Sequence, residues 1–260
     1  MILQIDAGNT RIKWRVIEGS RSGNKGYRTV DKGCRTVAEG NQLTSSILTG
    51  EPLLLPTVTT LTMAQLSNVA GDTVIATLSK QLRAQFAISL QVAKVSPRVG
   101  LVSCGYTSLE TLGVDRWLAV LAAFEKTGRA AVVVDAGSAL TVDIVNSEGV
   151  HQGGYIVPGV RLLQESLWQG TDQVKVDQYG SGEQPIPGVT TEQAVSHGCI
   201  LMLVAFIERL AAERRAELII TGGDALLIKS QLAVKADYCP DLVLDGLSTE
   251  GLGFTLWADK

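Results

Sequence analysis

The sequence predicts an α/β protein of two related lobes, each a mixed β-sheet flanked by helices, with a ligand cleft between them. A repeated phrase is the first reason: Ile5-Asp6-Ala7-Gly8-Asn9-Thr10 returns as Val134-Asp135-Ala136-Gly137-Ser138-Ala139, 129 residues later (135 − 6), half a chain away. The second is the setting of each copy. Each follows an apolar run, Ile2 to Ile5 or Ala131 to Val134, and precedes an alternating segment, Arg11 to Val16 or Leu140 to Val145. That is the pattern of buried strand, tight turn and half-buried strand. The third is that helical and strand patterns alternate beyond each hairpin, as mixed α/β layers require. After the turn the apolar register differs by one residue between the copies.

Taken in order, the first hairpin is followed by helical spacing from Asp72 to Phe86, with Asp72 placed to cap its first turn, and by a strand from Leu90 to Val95. Asp115 to Thr127 is helical and stops at Gly128, a favoured left-handed end. Val160 to Gln169 forms a shorter helix stopped by Gly170. The longest helix runs from Thr191 to about Glu217, with Thr190 and Gln193 in capping-box relation, before a strand at Leu218 to Ile220 and Gly222-Gly223. Asp172 to Val189 reads as an irregular, mobile loop, and Arg21 to Arg35, basic and glycine-containing, as a solvated loop or hairpin. No Ser- or Pro-rich spacer marks a lobe boundary, which is placed near residues 114 to 117. The expected lobes are 1–115 and 116–260, closely packed around a cleft.

At 260 residues, 45% hydrophobic and 19% charged, the chain can bury a core without disulfides or metals. A net charge of −3 disfavours a nucleic-acid partner. Cys34, Cys104, Cys199 and Cys239 stand far apart, and only His151 and His197 accompany them, so a zinc site is not expected. The opening Met-Ile-Leu-Gln-Ile-Asp lacks a signal-peptide pattern, and the apolar run Cys199 to Ile207 is too short to cross a bilayer. A cytoplasmic protein with reduced thiols and no membrane partner is expected. The two histidines sit in no acid/base constellation and the four tryptophans read as packing, while Asp143, a further acid on the second hairpin, is left unassigned, since a polar, outward-facing strand residue explains it equally well.

Gly8 lets the backbone approach a ligand closely, and Asn9 and Thr10 add short polar groups beside backbone N–H donors, a combination that can cradle phosphates. Asp6 faces the same place, where a carboxylate can hold magnesium directly or through water, and Lys13 can add positive charge. An ordinary hairpin turn uses the same residue types. Neither Gly-x-x-x-x-Gly-Lys-Ser/Thr nor Gly-x-Gly-x-x-Gly occurs, so P-loop and Rossmann readings fail. The strand, Asp-x-Gly turn and strand instead resemble the phosphate hairpins of the actin, sugar-kinase and chaperone-ATPase superfamily, a ribonuclease H-like duplication whose two lobes close on ATP. Thr221-Gly222-Gly223-Asp224-Ala225 resembles its adenosine-side motif.

A narrower resemblance lies in Gly113-Val114-Asp115-Arg116-Trp117, preceded by Tyr106, in Asp135 to Thr141, in Gly153-Gly154-Tyr155-Ile156-Val157-Pro158-Gly159 and in Thr191-Glu192-Gln193-Ala194. In this order the motifs resemble a type III pantothenate kinase from residue 2 to about 225. Ser138 stands where threonine is commoner, and the hydroxyl is kept. The resemblance implies phosphorylation of pantothenate by ATP with magnesium to give 4′-phosphopantothenate, the entry step of coenzyme A synthesis. It implies ATP contacts from Asp6, Ala7, Gly8, Asn9, Thr10, Arg11, Ile12, Lys13 and Ser138, and pantothenate contacts from Tyr106, Gly113, Val114, Asp115, Arg116 and Thr191. Asp115 is implied as the general base, although an aspartate opening a helix is also a good N-cap. Asp135 is implied to hold potassium or ammonium. The family is usually homodimeric, which implies a dimer here. Proteins named as transcription accessory factors resemble the same family, so a non-catalytic regulatory protein, or a kinase of another small hydroxy-compound, stands as the alternative.

Overall fold

A computed structural model describes residues 1–19, 34–55, 60–169 and 186–258, with the side chains of residues 168 and 169 also outside the description. The basic segment up to residue 33, the loop from 172 to 185, the stop at Gly170 and the side chain of Trp168 therefore lie outside the described residues. The chain divides into two compact units, Met1–Gly128 with Asp241–Lys260, and Arg129–Pro240.

In the first unit the elements are β1 (Ile2–Ala7), β2 (Arg11–Glu18), β3 (Arg35–Leu43), α1 (Thr44–Leu48), β4 (Met63–Asn68), α2 (Asp72–Phe86), β5 (Leu90–Ala93), the small β6 (Arg98–Val99) and β7 (Val102–Ser103), and α3 (Val114–Thr127). The second unit contributes β8 (Ala131–Ala136), β9 (Ala139–Val145), β10 (His151–Pro158), α4 (Val160–Gln169), α5 (Thr191–Arg214), β11 (Glu217–Thr221), α6 (Ala225–Gln231) and β12 (Asp237–Tyr238). The chain then returns to the first unit as α7 (Leu242–Gly246) and β13 (Phe254–Leu256).

The duplication expected from the repeated phrase is visible in the strand order. The larger sheet runs β13-β5-β4-β1-β2-β3 and the other β10-β9-β8-β11-β12. Counted within its own unit, each places five strands in the order 3-2-1-4-5, with the first three antiparallel and the fourth and fifth parallel to the first. Two mixed sheets of one topology, each with helices, form the α/β duplication that the sequence predicts.

Strand alternation builds the two layers of the first unit. Leu3, Ile5, Ala7, Ile12, Trp14, Val16, Ala64 and Leu66 point to one face and meet Val74, Ile75, Leu78 and Leu82 of α2 and Ile47 of α1. Gln4, Asp6, Lys13, Arg15, Gln65 and Ser67 alternate with them and occupy the opposite face. α7 packs against β1 and against α3. Gly246 lets α7 approach closely, because a Cβ there would collide with the Leu118 carbonyl oxygen. α3 is thus integral to the first unit, since its wholly buried Leu118 lies in that packing. The sequence-based boundary at 115/116 would cut this helix, whereas the compact units meet at Gly128 and Arg129 and the last segment rejoins the first unit.

In the second unit Val132, Val134, Ala136, Leu140 and Val142 meet Ile200, Leu203, Val204 and Ile207 of α5. α5 is long and apolar enough in composition to cross a membrane. Its buried row, from Ser196 through Ile200, Leu203 and Ile207 to Ala211, gives a physical reason for that composition. The helix ends at Arg215, a left-handed residue with φ of 48°, so Glu217 begins β11 and does not close α5. At its start Thr190 accepts the Gln193 N–H at 3.2 Å, but the Gln193 side chain accepts from Val189 N–H at 3.0 Å, one residue beyond a reciprocal capping box. α2 likewise starts from Gly71. Asp72 is its first helical residue and makes no side-chain cap bond, contributing negative charge to the first turn instead.

Candidate functional site

The two hairpins differ by one residue of turn, and this accounts for their shifted apolar patterns. In the first, Ala7 pairs with Ile12 and Asp6 with Lys13. In the second, Ala136 pairs with Leu140 and Asp135 with Thr141. Residues directly opposite across an antiparallel pair share a sheet face. The first aspartate therefore faces a lysine across the ladder and the second faces a threonine, although the two phrases look alike.

The first turn is closed by Gly8 N–H donating to the Arg11 carbonyl at 3.0 Å. It is braced from the start of α1, where Thr44 donates its hydroxyl to the Gly8 carbonyl at 2.7 Å and its N–H to the Thr10 carbonyl at 3.0 Å. Asn9 and Thr10 are exposed at the tip, while Arg11 reaches Asn41 of β3. Ala7 and Ile12 are fully buried in the core, so any contact they make with a ligand runs through their backbone. Lys13 Nζ lies 2.6 Å from Asp241 Oδ1. Ser67, the cross-strand neighbour of Asp6 on β4, is fully buried, and its hydroxyl has no hydrogen-bond partner among the described residues.

A 3-10 turn at Leu109–Thr111 leads into α3, whose N-cap is Gly113, with its carbonyl accepting the Trp117 N–H at 3.1 Å. Asp115 is thus the second helical residue and not the N-cap, which corrects that alternative: its carboxylate serves a first-turn donor from inside the helix and not from the capping position. One of its oxygens accepts the Arg116 N–H at 2.8 Å. Arg116, 7% exposed, donates from Nη1 to the Tyr106 hydroxyl at 2.9 Å and lies 5.6 Å from that ring's centroid. A cationic, hydrogen-bonded and stacked pair therefore stands beside a carboxylate at one helix start, with Val114 as the first helical residue.

In the second unit the hairpin turn is held by its neighbours. Gly159 N–H donates to the Ser138 carbonyl and Asp224 N–H to the Ala136 carbonyl, at 3.0 and 2.8 Å. Gly222 has φ of 100°, and a Cβ there would collide with the Asp135 carboxylate and the Ala136 carbonyl, so only glycine fits between β11 and the hairpin. Asp135, Ser138 and the Gly222-Gly223-Asp224 turn are thereby brought together. Burial pushes the Asp224 carboxyl above its usual range, and the nearby Arg161 charge opposes that rise. Thr191 opens α5 and is exposed, lining a groove with Leu163, Leu167, Ala194, Val195 and Met202. Among the described residues no three His, Cys, Asp or Glu side chains gather into a metal cluster.

Asp143 is not the outward polar residue that strand alternation suggested. It is 2% exposed and pairs with the fully buried His151, Nε2 to Oδ1 at 2.9 Å, from β9 to β10. Alternation identifies a face, but burial of that face comes from packing remote in sequence. His197 is likewise engaged, its Nδ1 lying 2.7 Å from the Ile186 carbonyl. Thr44, Asn41, Ser67 and Asp241 went unread. The signals that could have found them are the Leu43-Thr44 helix start and the charged positions alternating on β2.

A family model described as type III pantothenate kinase matches residues 2–213. A type III pantothenate kinase of Pseudomonas aeruginosa is 36% identical over 257 residues, covering 95% of this chain and 98% of that one. One from Chromohalobacter salexigens is 35% identical over 258 residues, covering 96% and 86%. A solved structure from Campylobacter jejuni, described as a Baf family transcriptional activator, is 22% identical over 94% of each chain with a TM-score of 0.54, a likeness of fold.

The buried pair gives a direct prediction. Asp143→Ala strands the His151 imidazole in the interior and should lower the unfolding free energy by about 2 kcal/mol or more in urea titrations. An unfolding curve like that of the wild type would show that the pair contributes nothing.

Proposed function

The chain belongs to the type III pantothenate kinase family, and we propose that it transfers the γ-phosphate of ATP to pantothenate with Asp115 as the base that takes the hydroxyl proton. It is an ATP-dependent kinase, and the family name places its product at the start of coenzyme A synthesis. The observation carrying the residue assignment is the start of α3, where Asp115 stands beside Arg116 already fixed on Tyr106. A carboxylate near a preorganised cation suits an anionic substrate that must also lose a proton.

Phosphoryl transfer depends mainly on positioning and charge neutralisation. Backbone donors of Asn9 and Thr10, with Arg11 and Lys13, serve the ATP phosphates in this reading, and Gly8 lets the backbone come close to them. By the family resemblance Ser138 is likewise assigned to ATP, and Gly113, Val114 and Thr191 to pantothenate. The cation roles follow from the different cross-strand neighbours. Asp6, with the buried Ser67 hydroxyl on the same face, offers hard oxygen donors of the kind magnesium takes alongside phosphate oxygens and water. Asp135 faces Thr141 and not a lysine, which leaves an oxygen-lined setting for potassium or ammonium. Such cations neutralise developing charge on the transferred group. The site is cytoplasmic in this reading.

The exposed apolar groove between α4 and α5, about 460 Å³ and bordered by the half-exposed Met202, supports a homodimer in which a second copy covers it. Light scattering should return twice the chain mass, with Met202→Glu shifting the protein to monomer. A monomeric wild type would remove the dimer. For the reaction, an ADP-release assay across several small alcohols should respond to pantothenate and rise with potassium. Turnover of another acceptor in its place, or none at all alongside specific partner capture, would overturn the assignment.

A further inference from the structure

β2 and α7 carry matched charges. Lys13 and Arg15 are two residues apart on a strand, about 6.6 Å, and Asp241 and Asp245 are four apart at a helix start, about 6 Å. Equal spacing lets both pairs form together. Lys13 Nζ lies 2.6 Å from Asp241 Oδ1, and Arg15 Nη1 lies 2.7 Å from Asp245 Oδ1. The inner pair is the more deeply buried: the Arg15 side chain is 9% exposed, and its Nε donates to Gln4 Oε1 at 2.8 Å. Gln4 in turn donates to Ser248 Oγ at 2.9 Å and to Gln65 Oε1 at 3.0 Å. The outer pair is only partly covered, with side-chain exposures of 38% for Lys13 and 29% for Asp241. A partly buried clamp therefore fixes α7, and the clamp in turn holds Asp241 over the lysine that faces Asp6 across the ladder.

We propose that Asp241 is a positioning residue for ATP, orienting the Lys13 ammonium toward the nucleotide phosphates while the Arg15–Asp245 pair holds it in register. A lysine has three donors on a flexible stem, so one can stay on Asp241 while others face phosphate. Fixing that stem beforehand lowers the ordering cost of binding. This rests on Lys13 serving ATP, as assigned above.

The test is a double-mutant cycle in the full-length kinase with Asp241→Asn and Lys13→Ala, reading the KM for ATP, the KM for pantothenate and thermal melts. Asp241→Asn should raise the KM for ATP about three- to fivefold, as suits a half-exposed ion pair. The KM for pantothenate should not move, and the melting temperature should fall by no more than about 4 °C. In the Lys13→Ala background the same substitution should have no further effect on the KM for ATP. An unchanged or lowered KM in Asp241→Asn, or the same rise in both backgrounds, would overturn the positioning role. Lys13→Ala with a wild-type KM for ATP would instead remove Lys13 from nucleotide binding, and this inference with it.

Discussion

Cross-strand pairing in two short hairpins is the constraint on which the rest depends. An antiparallel ladder fixes which side chains share a face, and a turn that is one residue longer or shorter changes the partner opposite a given aspartate. Lys13 stands opposite Asp6, while Thr141 stands opposite Asp135. Two nearly identical phrases thus acquire different electrostatics from turn length together with the residues that follow each turn.

The same alternation decides what else each sheet must carry. On the first sheet the positions that project Asp6 and Lys13 also project Gln4 and Arg15 under α7. Burying them costs free energy unless each is paired. The pairs come from Asp245, Ser248 and Gln65, so the segment that returns to the first unit completes its polar face. α7 also lies against α3, whose first turn bears Asp115 and Arg116. The strand that leads into the first turn and the helix of the proposed base therefore share one support. In the second unit, Gly222 and the Gly159 N–H support the second turn from neighbouring segments.

Local signals made much of this legible. The hairpins, α2, α3 and α4 could be bounded from apolar period and from breakers such as Gly128, because those signals act within one turn of chain. The end of α5 could not, since Arg215 adopts a left-handed conformation that sequence assigns to glycine. Asp143 could not be assigned because its burial is set by packing beyond its own strand, and its partner His151 showed no motif. The Arg15–Asp245 pair spans 230 residues, a separation at which neither period nor spacing carries information. The motifs carried the family, whereas the contact of Lys13 with Asp241 needed the fold.

Chemistry at Asp115 is the centre of the account, and single-turnover phosphoryl transfer with Asp115→Asn tests it most directly, with ATP and pantothenate binding measured on the same protein. Near-normal binding with transfer slowed by about 10²- to 10⁴-fold is the predicted result for loss of a general base. Transfer at the wild-type rate would contradict it.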